Sequence, residues 1–467
     1  MAFVALALGQ LLVDIDDVVV NIALPRIAAD VGLSAQQLPW AVNAYLLCFG
    51  GLLLLGGRLA DRYGHRAVLL AGVAVFVSAS LAGTLAPSAG LLISARAGQG
   101  LAAALLAPAA MSLLVHTFPE PGARSRVLGL WGAVTGLGAV AGLVVGGLVT
   151  EHLGWRWIFT GNAAMAGLVG LSVLVLLPGG TGDRCIRIEP MSALLATAGL
   201  TMAVYTLHDT VEHGWLSART ALLLTCATTV IVLAAVVWRR SDAPLVPATL
   251  LKDRQILVSD GCALLTGGAL LGTFYFVSLH LQQVLGYSPL EAAFAYLPLV
   301  AGLIVAAGAG SPLVPRIGVR PVLAAGMAGC AAGLALLAVL GMSMDRDAFL
   351  LTLAPGLLVC GLGLGLAFVS LTVTAIPGGQ GTGDDGVASG LYNTATQVGG
   401  AIGIAVLAAV SARRADQLQA AGQTAAEAVT GGRTLALLFA AGLMVAGVGL
   451  AWMLPSEAGR GSTCEAQ

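Results

Sequence analysis

The chain is 467 residues long, 58% hydrophobic and only 10% charged, with a mean hydropathy of +0.93, whereas a soluble protein carries about 25% charged residues. A water-soluble fold is excluded. Twenty-two basic and 23 acidic residues leave a formal net charge of -1, so no basic stripe is available to neutralise phosphates, and nucleic acid is excluded as a partner.

A transmembrane helix needs roughly 20 mostly apolar residues. Apolar runs between clusters of Arg, Asp, Glu and Pro fall near residues 3-28, 38-57, 66-87, 90-115, 126-150, 157-177, 191-208, 219-238, 256-280, 290-311, 320-341, 349-374, 386-411 and 433-454. They predict an all-α polytopic membrane protein with fourteen spans. His208, Asp209 and Glu212 crowd the connection between the seventh and eighth runs, which leaves a single re-entrant element as the alternative there. The longest polar gaps, near 179-190, 239-255 and 412-432, are too short for an independent core, so no soluble catalytic domain is expected.

The first run lacks the basic start and small-residue cleavage site of a signal peptide and reads as a mature span. It begins with no cytosolic leader, which leaves the translation start open. Basic residues flank one side of the predicted spans about twice as often as the other, which puts both termini in the cytoplasm. The 63 glycines cluster within spans, as between Gly129 and Gly147 and between Gly361 and Gly365, and predict close helix packing. Cys48, Cys226, Cys262, Cys330 and Cys360 lie inside apolar runs without CxxC or Cys/His metal spacing, and read as small core residues. Arg62-Tyr63-Gly64-His65-Arg66 and Arg316-Ile317-Gly318-Val319-Arg320 repeat R-x-G-x-R between two apolar runs, a trace of the internal repetition found in transporters.

The informative residues are the ionisable ones inside runs, because each costs about 2.5 to 3.5 kcal/mol at the bilayer centre. Asp14, Asp16 and Asp17 occupy one turn of the first run. At 100° per residue, Asp14, Asp17, Asn21 and Pro25 share a side while Asp16 lies about 160° from Asp14, so two faces must be polar or covered by protein. Three carboxylates this close cannot all be ionised cheaply, which suits a proton carrier. A wet cavity unrelated to substrate is the competing account of Asp14 and Asp17, and also of Asp16.

Arg96, in the fourth run, cannot shed its proton and needs an acidic partner, for which a first-run aspartate is the natural candidate. A site at the inner rim, bound to backbone carbonyls, is the alternative. The gap Gly57 to Arg66 packs several charges into ten residues and can lock two helices in one conformation and release them in another, or simply anchor topology. Asn21, Gln99, Trp131, Tyr275, Asn393 and Gln397 are candidates for a substrate path, with interface anchoring or core packing as the alternative for the two aromatics and for Trp40 and Tyr45. Asp260 and Glu291 sit near run ends, where water explains them. No GxSxG, HExxH or P-loop occurs. An enzyme, a metal site and a self-contained ATP-driven pump are therefore not expected.

Several segments resemble the major facilitator superfamily. Gly57, Asp61, Arg62, Gly64 and Arg66 match its GxLaDRxGRk signature between helices two and three, and Arg96, Gln99 and Gly100 its fourth-helix RxxqG element. Gly129, Gly138, Gly142, Gly146 and Gly147 reproduce the spacing of the fifth-helix antiporter motif G-x8-G-x3-GP-x2-GG, with Leu143 in place of its proline. Three further stretches resemble the 14-helix drug:proton antiporter branch. They are Asp16 to Pro25 (DDVVVNIALP), Gly154 to Phe159 (GWRWIF) with Asn162, and Gln282 to Ser288 (QQVLGYS) with Pro298.

The resemblance implies two six-helix bundles with two extra helices between them. On that scheme 1-178 forms the first bundle, 179-255 a linker with the two extra spans, 256-454 the second bundle and 455-467 a short cytoplasmic tail. It implies proton-driven, cofactor-free drug export from the cell membrane by a monomer, with Asp16 as the coupling aspartate and the Asp61 cluster as the inner gate; Asp14 and Asp17 have no counterpart in the family, and they and Arg96 join Asp16 as coupling candidates on their charge inside the runs alone. A nutrient importer shares the fold, and Leu143 keeps that reading open. A membrane sensor without transport is the third.

Overall fold

The computed structural model describes residues 2–34, 36–118, 120–177, 182–183, 185–214, 217–341, 349–375 and 385–455, which form helices and no strand. The long helices are α1 (Ala2–Val31), α2 (Trp40–Tyr63), α3 (His65–Thr84), α4 (Ala89–Thr117), α5 (Pro121–His152), α6 (Arg156–Leu176), α7 (Met191–His213), α8 (Ala218–Arg240) and α9 (Arg254–Gln283). After them come the short α10 (Pro289–Ala295), then α11 (Leu297–Ile317), α12 (Val319–Leu336), α13 (Phe349–Ala375), α14 (Asp385–Ala420) and α15 (Ala425–Ala451). Among the described residues 12 helices, with α10 and α11 counted as one, are long and apolar enough to cross a membrane. α1 is long enough but carries Asp14, Asp16, Asp17 and Arg26, and α5 contributes the apolar stretch Val140–His152. Together these are the fourteen helices that the apolar runs predict. α7 and α8 are separate helices joined at Gly214, so the re-entrant alternative is set aside. The tail beyond residue 455 lies outside the described residues.

The chain forms two compact units. The first holds Met1–Leu245, Phe274–Ala295 and Ile404–Ala412, and the second Val246–Thr273, Tyr296–Gly403 and Arg413–Gln467. The same neighbour pairs recur in each. In the first, α4 packs on α2 and α3, α3 on α6 and α1 on α5; in the second, α13 packs on α11 and α12, α12 on α15 and α9 on α14. The repeated R-x-G-x-R turns are part of this recurrence. Gly64 between α2 and α3 has φ 92° and Gly318 between α11 and α12 has φ 88°, a left-handed backbone that glycine adopts without steric cost.

Lipid supplies no hydrophobic drive between helices, so packing depends on how closely backbones approach. In the first unit a Cβ on Gly56 of α2 would strike the Ala104 carbonyl of α4, and one on Gly100 of α4 would strike the Tyr45 carbonyl of α2. In the second unit Gly361 of α13 stands in the same way against the Leu299 carbonyl of α11. Cys330 and Cys360 are buried free thiols 3.7 Å apart on α12 and α13, and Cys262 is buried in α9.

Of the two helices that follow α6, α7 docks on α2 and α8 on α7. Gly51 of α2 admits the Thr197 side chain of α7, and the Trp40 ring lies 6.3 Å from Tyr205 and 5.8 Å from His208. The Arg219 guanidinium reaches the buried Asp209 at 3.0 Å and ties α8 to α7.

A Gly56→Leu substitution is expected to lower stability by roughly 1–3 kcal/mol through overpacking against backbone, seen as a lower melting temperature of the detergent-solubilised protein. Gly442→Leu, at a position where a Cβ meets nothing, is expected to leave that temperature unchanged.

Candidate functional site

α1 sets the site through its two polar faces. Asp16 turns into the first unit and is 0% exposed, while Asp14 and Asp17 are half-buried on the other side, as the helical angle requires. The Asp16 carboxyl receives three donors. Arg96 Nη1 of α4 donates to Oδ2 at 2.8 Å, Gln99 Nε2 of the same helix to Oδ1 at 3.1 Å, and Asn162 Nδ2 of α6 to Oδ1 at 2.6 Å. Three donors with no acceptor suit a carboxylate, because a carboxylic acid would have to donate.

Arg96 is equally enclosed, at 0% exposure. Besides Asp16 its Nη1 donates to Gln99 Oε1 at 2.8 Å and its Nε to the Ala41 carbonyl of α2 at 3.0 Å. The Tyr45 ring lies 4.5 Å from the guanidinium carbon, a cation–π contact, and the Tyr45 hydroxyl donates to the Val13 carbonyl of α1 at 3.4 Å. Gln99 is fixed in turn, since its Nε2 also donates to Ser80 Oγ of α3 at 3.0 Å. Five helices therefore converge on one ion pair, and the close approach at Gly100 brings α4 near enough to α2 for Arg96 to reach Ala41. Arg96 thus has the first-run aspartate as its partner and one backbone carbonyl as well.

The glycines of the fifth-helix motif line the approach of α5 to α1. A Cβ on Gly138 would press on Asp14 at 2.7 Å, one on Gly142 on the Ile15 backbone at 3.1 Å and one on Gly146 on Val19 at 2.7 Å, whereas Gly147 faces Ala293 and the Pro289 carbonyl at 2.9 Å. The surroundings of Gly129 lie outside the described residues. Asp14 accepts a hydrogen bond from Gln10 at 2.8 Å, and Asn21 donates to the Asp17 carbonyl at 3.3 Å.

At the Asp61 turn the cations are engaged by backbone. Arg62 Nη1 donates to the Ile186 carbonyl at 2.8 Å and Arg66 Nη2 to the Leu174 carbonyl at 2.9 Å, while His65 approaches Asp61 at 3.4 Å. The Asp183 N–H donates to the Asp61 carbonyl at 3.0 Å, so the connector between α6 and α7 lies along this turn. Gly57, one turn earlier, faces Pro108 of α4 at 3.8 Å.

Trp131 and Tyr275 are buried, and Tyr275 meets Phe276 edge-on at 5.1 Å. Asn393, exposed on α14, donates to its own helix at Ser389, and Gln397 is buried one turn on; both belong to the second unit. Glu291 caps α10 by accepting from the Ser288 N–H at 2.8 Å. Ser80 and Asn162 were not picked out as site residues in the sequence. Asn162 is signalled by the GWRWIFxxN stretch, whose Trp155 and Phe159 form an apolar cluster with Val19, Val20, Ala23 and Ile27 of α1. Nothing in the sequence signals Ser80.

Residues 6–404 match the Major Facilitator Superfamily. The puromycin resistance protein pur8 of Streptomyces alboniger is 39% identical over 459 residues, covering 97% of this chain and 90% of the relative. The cephamycin export protein CmcT of Amycolatopsis lactamdurans is 38% identical over 422 residues, covering 88% and 84%. Among solved structures, an autoinhibited POT family peptide transporter superposes with a TM-score of 0.69 at 15% identity over 97% of this chain and 96% of that one. A bacterial homologue of the human lysosomal transporter Spinster, inward-facing and occupied, gives 0.63 at 16% over 97% and 96%. These two share the fold. The chain belongs to the Major Facilitator Superfamily and is a multi-pass membrane protein.

Removing one partner of a buried ion pair costs roughly 3–5 kcal/mol, and of an exposed one about 1 kcal/mol or less. Arg96→Gln is accordingly expected to lower the melting temperature in detergent far more than Arg156→Gln, which breaks the half-exposed Asp30–Arg156 pair.

Proposed function

We propose that this member of the superfamily is a proton-coupled antiporter that exports hydrophobic small molecules, antibiotics among them, across the cell membrane by alternating access. The observation that carries this reading is the Asp16–Arg96 pair, wholly buried in a membrane protein and held by groups from α2, α3, α4 and α6. The relatives named for resistance or export support the direction of transport and the class of substrate.

Asp16 is the coupling acid. In the enclosed arrangement it is ionised and paired. A proton arriving from outside neutralises it, leaving Arg96 with the Ala41 carbonyl, Gln99 and the Tyr45 ring in place of a counter-ion, and the energy that held α1 to α4 becomes available for a change of conformation. Asp14 and Asp17, on the half-buried face, relay protons, and Asp14 feels α5 directly through Gly138. The Asp61 turn, with Gly57, Arg62, Gly64 and Arg66, forms the inner gate. Asn21, Gln99, Trp131, Tyr275, Asn393 and Gln397 border the substrate path.

The chain is organised as a bundle at 1-178, an inserted pair of helices within 179-255, a second bundle at 256-454 and a tail at 455-467, with both termini cytoplasmic. It works as a monomer without metal or cofactor and performs no catalysis.

In everted membrane vesicles Asp16→Asn is expected to abolish proton-driven drug uptake, a loss of at least about tenfold, while exchange of drug across the membrane without a gradient persists and reports that the protein is folded. Unchanged proton-driven uptake would overturn Asp16 as the coupling site.

A further inference from the structure

α1 contains Pro25 inside its helix. A helical proline has no N–H, so the carbonyl four residues earlier, that of Asn21, loses its donor within the helix. Away from water such a carbonyl must be satisfied by something else. Ser278 Oγ, fully buried on α9, donates to the Asn21 carbonyl at 2.7 Å. One turn further along α9, Gln282 Nε2 donates to the adjacent Ile22 carbonyl at 2.9 Å and to Ser278 Oγ at 3.1 Å. Two side chains spaced by one turn thus fit two consecutive carbonyls at the proline break.

The surroundings reinforce the contact. The Glu151 carboxylate at the end of α5 accepts from the Leu290 N–H of α10 at 3.0 Å, beside the close approach at Gly147. α9 is also divided, since it belongs to the second unit through Thr273 and to the first from Phe274 onward. The half that bears Ser278 and Gln282 is therefore continuous in one helix with part of the other unit, and α1, which it holds, carries Asp16.

We propose that Ser278 and Gln282 are positioning residues that grip α1 by the Asn21 carbonyl that Pro25 frees and by the Ile22 carbonyl beside it, and that transport breaks and remakes this grip, so that α9 sets the position of Asp16 on α1. The inference rests on the reading of Asp16 as the coupling acid. Neutral hydrogen bonds to carbonyls suit the task because water can take them over when the helices part, with little net change. An ion pair at the same place would hold too firmly in a dry interior.

The test uses the full-length protein with Ser278→Ala, Gln282→Leu, both together, Ser278→Thr and Pro25→Ala. Two readouts are taken: the pH profile of proton-driven drug uptake in everted vesicles, and hydrogen–deuterium exchange of the α1 amides from 22 to 30 in the purified protein. The double variant is expected to lose about tenfold in uptake, to shift the pH profile and to exchange faster in α1, while Ser278→Thr restores both readouts. Pro25→Ala returns a helical donor to Asn21, so Ser278→Ala is expected to add little in that background. An unshifted profile with unchanged exchange in the double variant, or full additivity of Ser278→Ala with Pro25→Ala, would overturn the proposal. If wild-type vesicles show no proton-driven uptake while α1 exchange still responds to Ser278→Ala and not in the Pro25→Ala background, the coupling function fails and the grip on α1 stands.

Discussion

A guanidinium keeps its charge at any accessible pH, and Arg96 has no exposed surface. That single constraint organises the first unit. Its charge has to be met by a carboxylate, and its donors by acceptors with no help from solvent. Asp16 supplies the charge, Gln99 and the Ala41 carbonyl take further donors, and the Tyr45 ring covers the flat face. Each partner is itself held, Gln99 by Ser80 and Asp16 by Asn162. The network is nearly closed, so a change in the charge of one member is felt by helices that do not touch it.

The same economy explains the two faces of α1. Asp16 is spent on Arg96, so Asp14 and Asp17 must find other surroundings; both are half-buried, Asp14 on the side where α5 approaches. Small residues on α5 are what allow that approach. Gly138, Gly142 and Gly146 place backbone against Asp14, Ile15 and Val19 in succession, and Gly147 turns the next position toward α10. A motif that reads in sequence as spacing alone is, in the structure, a strip that seats α1. Leu143, standing where the antiporter motif has proline, is buried beside that strip.

What could be read from the sequence follows the same physics. Runs of apolar residues identify spans because length and hydropathy are local properties, and buried ionisable residues stand out because the bilayer makes them costly. Asp16 and Arg96 were legible for that reason, as were the glycine turns at Gly64 and Gly318. Ser80 was not. A serine in a membrane helix usually bonds its own backbone one turn back, as Ser78 does to Ala74 and Ser94 to Gly90, and only convergence in space sets Ser80 apart. Asn162 had a sequence signal in the GWRWIFxxN stretch, yet its role as a donor to Asp16 depends on a contact between α6 and α1 that no spacing reveals. Glu291, a charge near the end of an apolar run, caps α10.

α7 gains a physical role from the constraint at the other end of α2. The Asp61 turn carries cations that could reach many acceptors, but Arg62 is committed to the Ile186 carbonyl, and the Asp183 N–H is committed to the Asp61 carbonyl. The connector that makes these bonds leads directly into α7, which is seated on α2 again at Gly51 and at Trp40. Contacts at the turn, the middle and the far end of one helix leave α7 little freedom to move independently of α2. A displacement of the Asp61 turn must therefore either carry α7 with it or break the Arg62 and Asp183 bonds. The second course would leave a cation and a carbonyl needing new partners, so α7 acts mechanically as part of α2.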